Sequence, residues 1–378
     1  SPLRDVYKRQ LLITAIVSSA LIFPQTSIAL DSSSNAVDVG FRKVLDEYSN
    51  SLEKIYYSPK KSRSKYKIPF SSYDQIDDGL ISTNVKVNTK ILNIKKTVDG
   101  YNLHVDVSLS SDLKPEPGVK IYLGGKLVDS MHSSWTDEHI MHLSNDRSSS
   151  SYAITNDEVV DPANVNTSFA SSSNSPLIND KTFKTPALLD RSKASFDSSK
   201  QNLIKSRSKS FDNSSGFDYI KAINYADKWT KVDKMNPAYP IFNSNCANFV
   251  SQSIHEGGME EIPKLWDYST SIPSLTTASW MNANSNYYYM KHYTNSFTSL
   301  ANVWDAWEGS LLYVDWKSDG KIDHTMIVVG VVVKDNKANP VIDQKSNNRH
   351  QITLTQSLKY AHKYYNNMTW YGLQYRYN

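Results

Sequence analysis

The sequence predicts an α+β protein, and three observations carry that reading. A helix-period segment lies near the N-terminus, alternating apolar segments follow from residue 85, and further on a cysteine opens one helix while a histidine opens one long apolar strand. In chain order, Val37, Val44, Leu45, Leu52, Ile55 and Tyr56 recur at helical spacing. Pro59 and the basic run 60–67 interrupt the pattern and read as a solvated connector. Val85, Val87, Thr89 and Ile91 then alternate with polar residues, as do Leu103, Val105, Val107 and Leu109, and Asp99-Gly100 lies between the two sets. Alternation on both sides of an Asp-Gly pair is a β-hairpin signal. Strands are also expected at 119–123, 139–143 and 152–155, which completes a small α+β accessory domain over 36–160. Residues 161–215 are dominated by Ser, Asn, Lys and Asp, too poor in apolar residues to build a core. They read as a flexible linker that leaves 216–378 to fold as an independent domain.

A length of 378 residues fits more than one folded part. The 24 tyrosines and 8 tryptophans suit surfaces that stack on sugars or peptides. A net charge of +4 and a pI near 8.7 are mild, and without a basic stripe or a nucleic-acid motif they exclude a nucleic-acid partner while suiting an anionic surface such as a cell wall. Residues 1–30 read as a secretory signal, the first ten being a doubtful end: Lys8 and Arg9 precede the apolar run 11–23, and Ser27 and Ala29 form a small-residue cleavage site. The run is shorter than the ~20 residues of a membrane span, so a secreted or cell-wall-associated protein with no stable span after cleavage is expected.

Cys246 is the chain's single cysteine and has no partner for an internal disulfide. Phe249, Val250 and Ile254 mark one face of a helix that Ser244 or Asn245 can cap and Gly257-Gly258 can end, so Cys246 falls in the first turn. There the free N–H groups and the positive dipole end are expected to lower the thiol pKa and to hold an oxyanion. Residues 310–316 read as a strand, 318–320 as a turn, and 324–333 as a nearly continuous apolar strand that starts at His324. A histidine anchored there is held as a general base must be. Trp266, Trp280, Trp304, Trp307 and Tyr287 to Tyr289 read first as core or rim aromatics, and His104, His139 and His142 as satisfied sheet residues. His350 and His362 show no metal-ligand spacing, and neither H-E-x-x-H nor C-x-x-C occurs, so no metal and no cofactor is expected.

Tyr219, Ala222, Tyr225-Ala226, Asn236-Pro237, Tyr239, the run Asn245-Cys246-Ala247-Asn248-Phe249-Val250-Ser251-Gln252, Gly257-Gly258, Trp280, Asp315-Trp316, Gly320 and Asp323-His324-Thr325 together resemble the "putative amidase" family of exported Gram-positive proteins. That family is similar to papain-like NlpC-type and CHAP cell-wall hydrolases. The resemblance covers about 216–378 and implies a papain-like domain whose nucleophile helix packs on an antiparallel sheet. It implies that Cys246 attacks an amide, that His324 takes and returns the proton, and that the partner is peptidoglycan or a cell-wall peptide. Asn245, Tyr239 and Trp280 are the candidate substrate or oxyanion contacts. Two positions depart from the family: Asn245 stands where Asp is usual, and Gln356-Ser357 where Gln-His is usual. For the residue that orients the imidazole, Gln356 on an expected strand 352–356 is the first candidate, with Ser357 and Asp343 competing. A binding module that does not cut and an acyltransferase on the same fold are the alternative functions.

Overall fold

A computed structural model describes residues 33–57, 78–146, 151–160, 186–193 and 217–376 except 233 and 363. The expected signal segment, the basic run 60–67 and most of 161–215 lie outside the described residues. Among the described residues no helix is long and apolar enough to cross a membrane.

The architecture is α+β, with a large antiparallel sheet and few helices. The strands are β1 (Leu80–Lys96), β2 (Gly100–Pro115), β3 (Lys120–Leu123), β4 (Lys126–Val128), β5 (Met131–Asp146), β6 (Ser151–Val159), β7 (Phe297–Ser299), β8 (Leu311–Asp315), β9 (His324–Lys334), β10 (Lys337–Gln344), β11 (Arg349–Thr353) and β12 (Thr369–Tyr375). They are ordered β1-β2-β5-β11-β10-β9-β8-β12-β7, with β6 on β5, β3 on β9 and β4 on β3. The helices are α1 (Ser33–Tyr57), α2 (Tyr219–Lys231), α3 (Cys246–Glu256), α4 (Ala278–Met281), α5 (Ala283–His292) and α6 (Leu354–Ala361).

The Asp-Gly signal is where the chain reverses: Thr97 N–H donates to the Gly100 carbonyl at 2.9 Å, and β1 and β2 pair from Lys96↔Tyr101 to Leu80↔Pro115. Within α1, Tyr48 donates to Asp157 (2.6 Å), whose other oxygen lies 2.8 Å from His139 Nδ1, and Glu53 accepts from Val87 N–H (2.9 Å). These groups tie the helix to β1 and β6, and they give His139 Nδ1 a partner inside the sheet.

The expected division at 160 and 216 runs through one continuous sheet. β5 pairs with β11 (Arg349↔Trp135, His350↔Ser134), and β3 pairs with β9 from Lys120↔Val333 to Leu123↔Gly330. The buried Arg349 guanidinium reaches Asp137 at 2.5 Å and the Thr136 carbonyl at 3.0 Å. Removing either charge would strand the other, at roughly 3–5 kcal/mol. Leu113, Val119, Ile121 and Met131 share a core with Tyr219, Ala222, Cys246 and Phe249. Gly330 admits β3: a Cβ there would stand 2.3 Å from Leu123 Cδ2 and 2.4 Å from the Tyr122 carbonyl. The physical reason for the joint is that β9 and β11 would otherwise present unpaired edges. Part of the expected linker is docked too. Ala187 N–H donates to the Trp370 carbonyl (2.8 Å), Leu188 N–H to that of Ala301 (2.8 Å), and Arg191 lies 5.2 Å over the Trp304 ring.

A fragment starting at Phe217 loses β3 and β5 and bares the β9 and β11 edges together with Val332 and Val341. It is expected to aggregate or to bind a hydrophobic dye where the full chain does not. A monodisperse fragment melting at the full chain's temperature would contradict the shared sheet.

Candidate active site

The site is built where α3 meets the start of β9. α3 begins at Cys246, and Asn245 occupies its cap position without capping it. The Asn245 side chain is engaged in its own loop instead: Oδ1 accepts from Phe242 N–H (3.0 Å) and Asn248 Nδ2 (2.9 Å), and Nδ2 donates to the Phe242 carbonyl. Its backbone N–H donates to Ser346 Oγ at 2.8 Å. Asn245 therefore shapes the loop before the cysteine, and its amide is not presented to a ligand.

Cys246 is 3% exposed. Its Sγ lies 3.9 Å from Ser244 Oγ and 4.0 Å from the Asp323 carbonyl, and the N–H groups of Ala247 and Thr325 are aimed at it. Burial pushes the thiol up from its ordinary value, while Ser244 and the backbone N–H groups act in the opposite direction. The expectation of a depressed thiol pKa is thus reversed. The helix N–H groups face the sulfur as expected, but the cost of desolvating a thiolate outweighs them.

His324, the first residue of β9, is also buried. Burial pushes its imidazole down to about 4, with Arg349 acting in the same direction and a hydrogen bond with the Gln344 side chain acting against it. The ring is therefore neutral at neutral pH. It stacks on Trp316, with centroids 5.9 Å apart and planes at 27°, and its Nε2 is buried with no hydrogen-bond partner. The sulfur touches the main chain on both sides of His324, so the structure brings these two residues together as neighbours. Among the described residues no hydrogen bond joins thiol to imidazole.

Gln344 is the residue that the sequence reading missed. It ends β10, the strand hydrogen-bonded to β9, and its Nε2 donates to the Asn347 carbonyl (3.3 Å), which turns the amide oxygen the other way. Pro340 hides this strand in the sequence, because proline argues against a central strand. Here Pro340 lies beyond the end of the β10–β11 pairing, which starts at Val341↔Thr353.

Gln356 is not on a strand and not beside His324. β11 ends at Thr353, whose hydroxyl accepts from Gln356 N–H and caps α6, while Gln356 Nε2 approaches Tyr56 Oη at 3.4 Å. Thr353-Leu354-Thr355-Gln356 has the spacing of a capping box, a helix-start signal readable in the sequence. Tyr239 and Trp280 belong to the core behind α3. Tyr239 donates to Glu256 (2.7 Å), Trp280 Nε1 donates to Asn248 Oδ1 (2.8 Å), and the two rings stack at 6.1 Å. Neither lies at the thiol. Ser357 lines a pocket of about 150 Å³ that also holds His324 and Gln344. Asp343 is fully buried in β10.

Asp227, Asp343 and His350 offer three possible ligand atoms within 4.8 Å of one another, a grouping the spacing of His350 did not suggest. Their atoms are already engaged. Thr230 Oγ1 lies 2.8 Å from Asp343 and 3.0 Å from His350 Nδ1, Gln351 N–H donates to Asp343 (2.6 Å), and the Gln351 amide donates to Asp227. The cluster is a buried polar joint between α2, β10 and β11.

Residues 216–373 match the family described as "Putative amidase domain", a span that contains Cys246, His324 and Gln344. The chain is also 32% identical over 137 residues to "Uncharacterized protein YhbB" of Bacillus subtilis (strain 168), an alignment covering 34% of this chain and 42% of that protein. The chain thus spans about two fifths of that relative's length. No solved structure matches. The domain match points to amidase activity, that is, to a hydrolase.

Two outcomes follow from burial. Iodoacetamide is expected to label Cys246 slowly at neutral pH and faster as pH rises above ~9, the ordinary thiol range; fast labelling at pH 7 in the folded protein would contradict a raised thiol pKa. For His324, the folded value of about 4 lies below the 6.5 of a free imidazole, so between these pH values only the unfolded chain takes up the proton. Its contribution to stability is complete above pH 6.5, is lost as pH falls toward 4, and changes no further below that. Urea titrations across this window should show a steeper decline for the native protein than for His324→Gln.

Proposed function

We propose that the C-terminal part is a cysteine amidase with a papain-like arrangement of helix and sheet, acting outside the cell on an amide of cell-wall peptide. The observation that carries this reading is the pairing of elements: a thiol under helix N–H groups, pressed against the backbone flanking a neutral imidazole whose Nε2 is vacant and whose other edge is held by Gln344. A neutral thiol beside a neutral imidazole is the starting state for general-base catalysis.

As Sγ attacks the carbonyl carbon, its proton passes to Nε2, and the N–H groups at the start of α3 face the oxygen that becomes negative. Collapse breaks the C–N bond, and the imidazolium gives that proton to the leaving amine. Water, deprotonated by the same imidazole, then cleaves the thioester and restores the thiol. Gln344 acts through Nδ1: an amide oxygen accepting the second N–H steers the ring and supports its charged form. The contact between thiol and imidazole tightens when substrate enters, as is common for sites whose hydrogen bonds are long when empty. Export rests on the apolar run 11–23 with its basic flank, and the cell-wall substrate on the mild positive charge and the family resemblance.

The closed position of the sulfur favours a second reading, a module that binds the same peptide without cutting it. Digestion of purified peptidoglycan separates the two. Cys246→Ala and His324→Ala are expected to abolish release of new amino termini without unfolding the protein. Gln344→Ala should lower turnover by roughly one to three orders of magnitude and leave a residue of activity, the scale of a lost preorganising hydrogen bond. Gln356→Ala should be near native. Hydrolysis that survives Cys246→Ala would refute the cysteine mechanism.

A further inference from the structure

The pocket that holds His324 and Gln344 is also walled by residues that the proposed reaction does not use. Trp316 and Tyr365 stack at 5.1 Å and Tyr360 stands with them, so one wall is aromatic. Uncharged polar groups from the loops before α3 and after β10 line it as well, and two carboxylates join them, one of which, Asp323, accepts from Trp316 N–H at 3.0 Å. Asp323 immediately precedes the histidine, and Glu138 comes from β5, about 180 residues earlier in the chain. The one cationic side chain of the lining, Arg349, is spoken for: it is paired with Asp137 at 2.5 Å and lies 4.7 Å over the Tyr360 ring. Glu138 is held through one oxygen by His104 Nε2 at 2.9 Å, and its side chain is 43% exposed, which places the carboxylate at the mouth. The pocket therefore has one aromatic wall and two carboxylates, and carries no uncompensated positive charge. A primary ammonium on a short aliphatic stem matches all three properties, since the stem packs on rings, the cation is attracted to their faces, and the carboxylates supply the counter-charge.

We propose that this pocket selects a cationic side chain, of the lysine type, on the amine side of the scissile bond. The proposal rests on the amidase reading for its orientation, because the pocket adjoins the imidazole that protonates the leaving nitrogen. It assigns β5 a part in substrate choice. Strands expected to form a separate accessory domain thus supply the group that reads the substrate.

The test is binding to the intact chain, which needs no turnover. Nα-acetyl-lysine amide, Nα-acetyl-norleucine amide and Nα-acetyl-glutamine amide are titrated by calorimetry or ligand-detected NMR near pH 8, above the range in which an unperturbed imidazole is charged. The lysine compound is expected to bind about three- to tenfold more tightly than the norleucine compound, the range of one exposed ion pair plus one cation–π contact. In Glu138→Gln that preference should fall by the share of the ion pair, about 1.5- to fivefold, while norleucine binding is unchanged. Equal affinities in the native protein, no binding of any of the three, or a lysine preference undiminished in Glu138→Gln would each overturn the proposal. A lysine preference in a protein that fails to hydrolyse peptidoglycan would instead count against the amidase reading and leave the pocket assignment standing.

Discussion

Residues 344–349, the reversal between β10 and β11, hold the rest of the site in place. Ser346 and Asn347 take left-handed backbone conformations (φ 57° and 59°), each at a cost on the order of 1 kcal/mol. What offsets that cost is the set of bonds the turn makes. Ser346 accepts from the residue before the cysteine, and Asn348 and Lys345 donate to the Thr230 and Val232 carbonyls at the open end of α2. Gln344 bears on the imidazole, and Arg349 crosses to Asp137 on β5. One short turn thereby fixes the loop before Cys246, the partner of His324, a helix end and the seam of the sheet. At ~1 kcal/mol net per hydrogen bond and more for the charged pair, these contacts exceed the backbone strain.

Burial, more than the helix dipole, sets the protonation states. The start of α3 offers N–H groups that would stabilise a thiolate at the surface. Packed against β9 and away from water, the neutral forms win on both sides, the thiol raised and the imidazole lowered. Under the amidase reading proposed above, such a site spends nothing on keeping a charged pair dry between turnovers, and the proton would move only when a carbonyl arrives to take the sulfur.

Much of the local structure was legible in the sequence because local rules decide it. Period-two alternation and Asp99-Gly100 marked the hairpin, and the apolar face of Phe249, Val250 and Ile254 marked α3 with Cys246 at its start. The apolar run from His324 marked β9. Where reading failed, either a local signal was passed over or distant contacts prevailed. Thr353 and Gln356 form a helix cap that ends β11 at Thr353 and puts Leu354 to Gln356 in α6 instead of the strand. Tyr239 and Trp280 share the family's motif with Cys246, yet their polar atoms bond inside the core. Gln344 was hidden by Pro340, which argues against the strand that carries it. The union of β5 with β11 and β3 with β9 had no local signature at all.

That union has a consequence for how the chain acquires its structure. Arg349 and Asp137 are separated by 212 residues, and β3 must wait for a β9 that lies as far downstream. Such pairings collect their reward only after a large loop has been closed, so topology of this kind slows folding. The N-terminal hairpins can form early, but the slot between them stays open until the last strands are present. A chain emerging N-terminus first therefore carries its β5 edge and the buried face of β3 uncovered for most of its synthesis. Commitment to the native state, and with it completion of the pocket beside His324, comes late and as one event.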